Sequence, residues 1–334
     1  MTASAGGRVI VTGSVAFDYL MRFPGRFVEH LIPDRMQRLS VSFLVDDMRR
    51  VPGGCAPNIA YGLALLGDRP LLFATAGQDA AEYRAALAEA GVDVSGMVLY
   101  PDVFTASFFV STDDDQNQIA SFYTGAMARA RRLSLESTGD GPESLVIVAP
   151  NDPAAMVQYP EECRRLGIPF LYDPSQQVAR LSGPELREGL EGALALIVND
   201  YELGIVIQKT GLDPGALEER VPVLVTTHGD QGSSISISEG SSSRRRLAIP
   251  PARVEKEAVD PTGVGDAYRA GLVRGRRLGL DWEVAGRMGS VAAVLGLEAL
   301  GPQPPPYSIG EFVARYERSF GREPTLEALF DRKV

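Results

Sequence analysis

Short apolar runs alternate with helical patterns along most of this chain. The runs lie at 8–13, 70–77, 145–149, 168–172, 194–198 and 223–227, and helical patterns such as 58–67 and 79–91 lie between most of them. Runs of this length are typical of strands that are buried on both faces of a sheet. Strands that alternate with helices predict an α/β fold with a mostly parallel central sheet flanked by helices. In such sheets, ligands bind outside the carboxyl ends of the strands.

Two regions break this alternation because their apolar residues recur at every second position. Val41, Phe43 and Val45 follow this period within 36–47, and two further runs at 104–110 and 118–123 flank a polar turn. A period of two predicts strands. These strands form either a small separate β-sheet, which would serve as a lid, or a hairpin on the edge of the main sheet.

The order of the patterns predicts one domain over residues 1–334. We expect a lid formed by about 18–50 and 100–125, and a large α/β domain formed by the remainder. A proline-rich stretch, PQPPP at 302–306, predicts a stiff connector before a last helix at about 308–318. No internal repeat is visible.

The composition is that of an ordinary globular protein. Of the 334 residues, 45% are hydrophobic and 23% are charged. The net charge of −10 disfavours nucleic acid and anionic membranes as partners. The densest basic run, RRR at 244–246, follows a Ser/Gly-rich segment, and we predict that it lies in a solvated loop.

Cysteine and histidine are scarce. Cys55 and Cys163 lie far apart in sequence, which predicts free thiols in a reducing cytoplasm. Only His30 and His228 could join them, so a classical His/Cys metal site is not expected. The chain has no run of 18 apolar residues and no signal-peptide pattern near its start, so neither a membrane span nor secretion is expected.

The stretch 260–271 (DPTGVGDAYRAG) carries the most chemical information. Gly263, Val264 and Gly265 predict a tight turn that opens a helix, with backbone amides that can bind an anion. Asp266 follows in the first helical turn. Amides that stabilise a transferring phosphoryl group, beside a carboxylate that accepts a hydroxyl proton, suit phosphoryl transfer to an alcohol. An ordinary turn with an acidic first-turn residue is the alternative.

Three other polar stretches follow predicted strands or open helices. Asp18 could accept hydrogen bonds from sugar hydroxyls or could be a turn aspartate. Gly54 permits close approach of a ligand to the backbone, and Asn58 could bind hydroxyls or cap a helix. In 173–180 (DPSQQVAR), Arg180 could read a polar substrate edge, contact phosphate or be structural.

These stretches together resemble the PfkB, or ribokinase-like, family of small-molecule kinases. The matching motifs are Gly-Gly-x-x-x-Asn at 53–58, Asn-x-x-Glu at 199–202, Thr-x-Gly-x-x-Gly at 227–232 and the 260–271 stretch. The strings at 21–27, 42–47, 118–123, 173–177 and 260–266 are most similar to bacterial adenosine kinases. The resemblance implies a Rossmann-like ribokinase fold with a β-sheet lid, and a homodimer joined through the lids.

The resemblance also implies a role for each matching residue. Asp266 would be the catalytic base, and Gly263, Val264 and Gly265 would form the anion hole. Ribose would contact Asp18, Gly54 and Asn58. The base would contact Ser14, Gln176 and Gln177, with Arg180 nearby. It would stack on Phe108 and on Phe122, which would come either from the same subunit or from the other; plain packing is the alternative for both rings. Asn199 and Glu202 would serve Mg²⁺ through water, and Asn199, Thr227, Gly229 and Gly232 would lie near ATP. A monovalent cation is compatible with the pattern.

The expected activity is therefore ATP-dependent phosphorylation of the 5′-hydroxyl of adenosine to give AMP, a purine-salvage reaction. Another ribokinase-like enzyme, such as ribokinase or an inosine/guanosine kinase, is the nearest alternative. A non-catalytic nucleoside or sugar sensor would lack the base or the glycines, and both are present. A Rossmann dehydrogenase is disfavoured because no Gly-x-Gly-x-x-Gly follows the first strand.

Overall fold

A nine-stranded sheet forms the centre of the computed structural model, which describes residues 7–30, 40–240 and 243–330. Its strand order is β13-β12-β11-β10-β9-β8-β1-β4-β5. The strands from β11 to β5 pair in parallel, whereas β12 and β13 pair antiparallel at one edge. A second sheet, with the order β3-β2-β6-β7, is called the small sheet below.

The strands are β1 Val9–Thr12, β2 Ala16–Arg22, β3 Asp47–Gly53, β4 Leu71–Gly77, β5 Met97–Tyr100, β6 Ala106–Thr112, β7 Gln118–Tyr123, β8 Leu145–Val148, β9 Phe170–Tyr172, β10 Ala195–Asn199, β11 Val223–Thr227, β12 Ser233–Ser238 and β13 Arg244–Ile249. The helices are α1 Phe27–His30, α2 Cys55–Leu65, α3 Ala81–Glu89, α4 Pro153–Leu166, α5 Gly183–Leu190, α6 Asp200–Thr210, α7 Pro214–Arg220, α8 Val264–Arg277, α9 Trp282–Leu297 and α10 Ile309–Phe320. The α/β fold predicted from the alternating pattern is confirmed.

Both faces of the central sheet are covered by helices, which explains the unbroken apolar runs. In β1, Val9 and Val11 pack into a core with α2, α8 and α9, whereas Ile10 packs into a second core with α4, α5 and α6. Each of these three side chains is fully buried. Because successive side chains of a strand point to opposite faces, a strand buried on both sides has no polar position to alternate with.

The sheet order reverses between β1 and β8. From β1 the chain continues outward through β4 and β5, and it then returns to build β8, β9, β10 and β11 on the other side. At such a switch point the connections after neighbouring strands leave in opposite directions and open a crevice at the carboxyl ends. The loops that follow β1, β9, β10 and β11 therefore converge on one place.

The small sheet confirms the hairpin predicted at 104–123, because β6 and β7 pair antiparallel with Phe108 opposite Phe122. It is a separate sheet rather than an extension of the main one. The strand expected within 36–47 was wrong for residues 40–46, which form no strand, and positions 36–39 lie outside the described residues. Phe43 instead packs against the rings of Phe23 and Phe27, at centroid distances of 5.1 and 4.7 Å.

The basic run at 244–246 is also placed differently from the prediction. It lies in β13 rather than in a loop, and Arg244 donates to the carbonyl oxygen of Glu218 at 2.6 Å while Arg246 donates to the Glu218 carboxylate at 2.7 Å. Arg245 pairs instead with Glu239 at 3.2 Å, so each of the three successive arginines in this edge strand has an acidic residue as partner. Within the described part of the chain, no helix has both the length and the apolar character needed to cross a membrane.

Candidate active site

A cavity of about 650 Å³ lies between the carboxyl ends of the central strands and the small sheet. Most residues predicted from sequence to form a site line this one cavity. They are Ser14, Asp18, Gly54, Asn58, Phe108, Phe122, Gln176, Gln177, Arg180, Asn199, Glu202, Thr227, Gly263, Gly265 and Asp266. Its volume is in the range of small-molecule sites.

The amino terminus of α8 forms one wall of the cavity. Gly263 is the residue before the helix and has a left-handed φ of 75°, and a Cβ atom added there would lie 2.6 Å from Cβ of Pro302. Only glycine fits this turn without strain. Among the described residues, the amides of Gly263 and Gly265 have no hydrogen-bond partner, whereas the Val264 amide donates to the carbonyl oxygen of Pro261 at 3.3 Å. Two of the three amides predicted for the anion hole are therefore free.

Asp266 lies in the first turn of α8. Its Oδ2 atom accepts a hydrogen bond from Nδ2 of Asn58 at 2.9 Å. Burial raises the pKa of Asp266 to about 6, while Arg269, Asn58 and the Cys55 thiol each favour the charged form. Asn58 is 7% exposed and lies inside α2, where the helix has no side-chain cap, so its amide serves the cavity rather than the helix end.

A buried ion pair fixes α8 against the end of β9. Nη2 of Arg269 donates to Oδ1 of Asp173 at 2.7 Å, and Nε donates to Oδ2 of the same carboxylate. Nη1 of Arg269 also donates to the carbonyl oxygen of Gly265 at 3.0 Å. Arg269 is 5% exposed and Asp173 is fully buried. Such a bidentate pair sets the position of the helix start relative to the loop that follows β9.

The Asn-x-x-Glu pattern forms a helix cap. The Asn199 side chain accepts from the Glu202 amide at 2.7 Å, and the Glu202 carboxylate accepts from the Asn199 amide at 2.8 Å. This reciprocal capping box begins α6 directly after β10. Ser175 donates to the second carboxylate oxygen of Glu202 at 3.3 Å. Glu202 also lines the cavity, so a hydrated cation there could still reach it.

The described residues include no group of three or more His, Cys, Asp or Glu side chains arranged to hold a metal ion. A direct protein cage is therefore not available within 7–30, 40–240 and 243–330. Glu202 and Asn199, which line the cavity, remain as the expected contacts for a cation that keeps its water and brings phosphate ligands with it.

The small sheet supplies the opposite wall. Asp18 pairs with Phe108 across β2 and β6, and Phe108 pairs with Phe122 across β6 and β7, so the three side chains lie side by side on one face. Burial, and secondarily the charge of Asp260, raises the pKa of Asp18 to about 6. A carboxylate that accepts hydrogen bonds, next to two aromatic rings, can bind a molecule that has hydroxyl groups at one end and a flat apolar ring at the other.

The loop after β9 brings two glutamines to the cavity. Ser175 has a φ of 40°, which turns the chain so that Gln176 and Gln177 both line the cavity wall. Gln176 donates to Sγ of Cys55 at 3.7 Å. Gln177 is 5% exposed, and its Oε1 atom has no hydrogen-bond partner among the described residues. Arg180 is exposed at the cavity edge.

Three predicted residues do not line this cavity. Val264 points its amide at Pro261, as described above. Gly229 lies in an exposed turn with open space around it. A Cβ atom added at Gly232 would lie 2.2 Å from the carbonyl oxygen of Ile249. Glycine at this position therefore permits close packing of the turn against β13. Thr227, at the end of β11, is the member of this turn that lines the cavity.

The geometry brings together a carboxylate, free backbone amides and a surface suited to a hydroxylated ring. The model of the pfkB family of carbohydrate kinases matches residues 11–308. The chain belongs to the pfkB family of carbohydrate kinases. The resemblance inferred from the motifs is thereby confirmed at the level of the family.

Similar proteins include nucleoside kinases. This kinase is 32% identical over 321 residues to a nucleoside kinase of Methanothermobacter thermautotrophicus, covering 95% of this chain and 98% of the other. The nucleoside kinase of Burkholderia thailandensis, solved in complex with inosine, is 38% identical in sequence to this chain, with a TM-score of 0.82. The match covers 94% of this chain and 99% of the other. Ribokinase from Thermotoga maritima, at 19% identity and a TM-score of 0.75, shares the fold.

Several residues that line the cavity of this kinase were missed by sequence reasoning. They are Ala16, Cys55, Met127, Ser175, Thr262, Arg269 and Pro302. A signal was available for Arg269, because an arginine on the apolar side of a helix needs a buried acid, and Asp173 follows a buried strand. No comparable signal existed for Met127 or Pro302.

Proposed function

We propose that this protein is an ATP-dependent nucleoside kinase that phosphorylates the 5′-hydroxyl of a purine nucleoside, with adenosine as the expected acceptor. The observation that carries the proposal is Asp266, a cavity carboxylate beside the free amides of Gly263 and Gly265. The names of the similar proteins support nucleosides as the substrate class.

In this mechanism the nucleoside spans the two walls of the cavity. Asp18 accepts hydrogen bonds from ribose hydroxyls, and Asn58 donates hydrogen bonds to them or accepts from them. The base stacks on Phe108 and Phe122. Asp266 removes the proton of the 5′-hydroxyl as the oxygen attacks the γ-phosphorus of ATP; the bond from that phosphorus to the β–γ bridging oxygen breaks, and ADP leaves. The amides of Gly263 and Gly265, at the positive end of α8, stabilise the negative charge on the transferring group.

The nucleotide is expected to lie along the ends of β10 and β11, near Asn199, Thr227 and Gly229. Support comes from the capping box of α6, which fixes Glu202 at the cavity wall. Mg²⁺, when bound with the nucleotide, would supply positive charge near the phosphates, with Glu202 holding it through water. Arg180 lines the cavity edge, whereas Val264 and Gly232 do not line the cavity. A monovalent cation stays a prediction.

Inosine is the competing acceptor, because the Burkholderia protein was solved with inosine and has a TM-score of 0.82 to this chain. Gln176 and Gln177 can each donate and accept hydrogen bonds through their side-chain amides, so they could match the polar edge of the base in either adenosine or inosine. The substrate panel therefore decides the base preference, and a preference for inosine would leave the nucleoside-kinase proposal intact.

The test is a panel of adenosine, inosine, guanosine and ribose with Mg-ATP, in which formation of the nucleoside monophosphate is measured. We expect AMP to form with the highest kcat/KM. Efficient phosphorylation of ribose with no turnover of any nucleoside would contradict the proposal.

A second test concerns the base. Asp266→Asn should lower kcat by about 10²–10⁴-fold, since a general base contributes roughly this factor, while nucleoside binding measured by calorimetry stays within about threefold. Wild-type turnover by this variant would remove Asp266 from the mechanism. A sensor protein would instead bind nucleosides without turnover in either form.

A homodimer joined through the small sheet also belongs to the proposal. The sheet exposes several large apolar side chains, which include Met48 at 60%, Ile119 at 44%, Tyr123 at 45% and Phe109 at 38%. A group of this kind on one small sheet is typical of a surface that is covered in the assembled protein.

A further inference from the structure

Four consecutive residues after α9 each make a contact with a residue in the cavity wall or in the elements that carry it. The Gly301 amide donates to Oδ2 of Asp260 at 3.0 Å, and Pro302 packs against Gly263. Gln303 contacts Asn58, and the carbonyl oxygen of Pro304 accepts from the Tyr61 hydroxyl at 2.8 Å. This connector (residues 301–304) therefore joins α2 to the start of α8, although the sequence suggested only a stiff link.

The side chain of Gln303 is the part of the connector that reaches Asn58. Its Nε2 atom donates to Oδ1 of Asn58 at 3.2 Å and to the Tyr83 hydroxyl at 2.7 Å. The Tyr83 hydroxyl in turn donates to the carbonyl oxygen of Gly53 at 3.2 Å, and Tyr83 is 4% exposed. Both hydrogen atoms of the Gln303 amide are thus directed to partners that are themselves held in place.

The orientation of the Asn58 amide depends on this contact. The oxygen and nitrogen ends of an asparagine side chain have nearly the same shape, so packing alone does not decide which end faces a neighbour. Because Gln303 presents an N–H to one end, the oxygen of Asn58 must lie there. The Asn58 NH₂ group then faces Asp266 and donates to Oδ2 at 2.9 Å.

We propose that Gln303 is a positioning residue, which orients the Asn58 amide so that it donates to the carboxylate of Asp266. This inference rests on the proposed function, in which Asp266 is the base. Gln303 itself lines no part of the cavity and acts through Asn58.

The consequence is a dependence of Asp266 ionisation on Gln303. Without the N–H from Gln303, the Asn58 amide is free to turn its oxygen toward Asp266, where two oxygen atoms repel each other. A hydrogen bond to a charged group is worth roughly one pH unit of proton affinity. The carboxylate would therefore bind its proton more tightly, and the acid limb of kcat would move to higher pH.

The experiment compares wild type with Gln303→Met, which keeps the size of the side chain but cannot donate. Titration of Asp266 is followed by carbon-13 NMR of aspartate-labelled protein, with Asp266→Asn to assign the signal, so that no turnover is needed. We expect the midpoint to rise by about one pH unit in Gln303→Met, and by more in Gln303→Glu, whose carboxylate would attract the Asn58 NH₂ group.

Turnover supplies a second measurement. The Asp266 titration is expected to have its midpoint near pH 6 in wild type and about one pH unit higher in Gln303→Met. The kcat of Gln303→Met should therefore be about fivefold below that of wild type at pH 6 and hardly lower at pH 8.5. A loss that is equal at both pH values would indicate a merely structural effect. Tyr61→Phe is the matched control, because it removes a different side-chain hydrogen bond to the connector without touching Asn58.

The outcomes are separable. An unchanged Asp266 titration in Gln303→Met overturns the positioning role, whatever the substrate of the enzyme. A wild-type protein that phosphorylates no nucleoside overturns the proposed function, while a shifted titration in Gln303→Met still supports the link from Gln303 to Asp266. A shift of the same size in Tyr61→Phe would also overturn the proposal, because the whole connector rather than Gln303 would then be responsible.

Discussion

The carboxyl group of Asp266 is partly buried, and burial raises its pKa from the ordinary 3.8 to about 6. A base with a pKa near 6 is still ionised at neutral pH, and it accepts a proton more readily than an ordinary aspartate. The same burial opposes folding, because the charged form is less well solvated in the cavity wall than in the unfolded chain.

Asp266→Asn should therefore stabilise the protein in a pH-dependent way. The folded-state pKa lies above the unfolded value, so the wild type loses stability as the pH rises from about 4 and the loss is complete above about 6. At pH 7.5 we expect the variant to melt about 3–6 °C higher than wild type, and at pH 4.5 the difference should shrink. Thermal melts at the two pH values measure this; equal differences at both would contradict the role of ionisation.

Residues whose chemistry is encoded in a local pattern could be predicted, and residues defined by distant partners could not. Asp266 and Gly263 belong to one short motif, and both line the cavity. Gln303 lies 245 positions from Asn58, and Arg269 lies 96 positions from Asp173. Only the fold brings these partners together, so nothing around position 303 predicted its contact with Asn58.

Helix α8 is held in place by close contacts at glycine. A Cβ atom added at Gly271 would lie 2.5 Å from the carbonyl oxygen of Met288 in α9, and one added at Gly62 of α2 would lie 2.7 Å from Cβ of Ala270. The three helices approach one another too closely for larger side chains. This packing fixes the direction of α8 and, with it, the position of Asp266 at its start.

Gly271→Ala should push α8 and α9 apart and destabilise the protein by about 1–3 kcal/mol. Gly204→Ala is the matched control, because Gly204 lies inside α6 and no atom lies within 4 Å of an added Cβ. That substitution should stabilise the protein by up to about 1 kcal/mol through helix propensity. Denaturant unfolding of both variants tests the pair, and equal effects at the two glycines would exclude the proposed clash.

Strands with an apolar run were predictable, and strands with a polar surface were not. The central strands β1, β8 and β10 were anticipated because they are buried on both faces. Strand β3 (DMRRVPG) is mostly exposed, and β12 (SSISIS) and β13 (RRRLAI) mix serine and arginine with few apolar residues. Their strand structure depends on neighbours in the sheet, which a single sequence window does not contain.

The assembled molecule is expected to be a dimer joined through the small sheet. Strand β7 lies at the edge of that sheet and is exposed along its whole length, and it carries Ile119 and Tyr123. An exposed edge with apolar side chains readily pairs with another chain unless it is protected by charge or cover.

Ile119→Lys should abolish this association, since a lysine on an edge strand blocks pairing. Light scattering during size-exclusion chromatography should give twice the 35.9 kDa chain mass for wild type and a single chain mass for the variant. Val254→Lys is the control, because Val254 is 47% exposed and lies outside the small sheet. A wild type that elutes as a monomer would contradict the expected dimer.

The position of the connector in the chain has a consequence for biosynthesis. Ser14 is among the first site residues to leave the ribosome, but Gln303 follows almost three hundred residues later. A nascent chain can fold its early strands while synthesis continues. Gln303 cannot orient Asn58 against Asp266 until residue 303 has emerged, so this contact forms only after the earlier site residues have been synthesised.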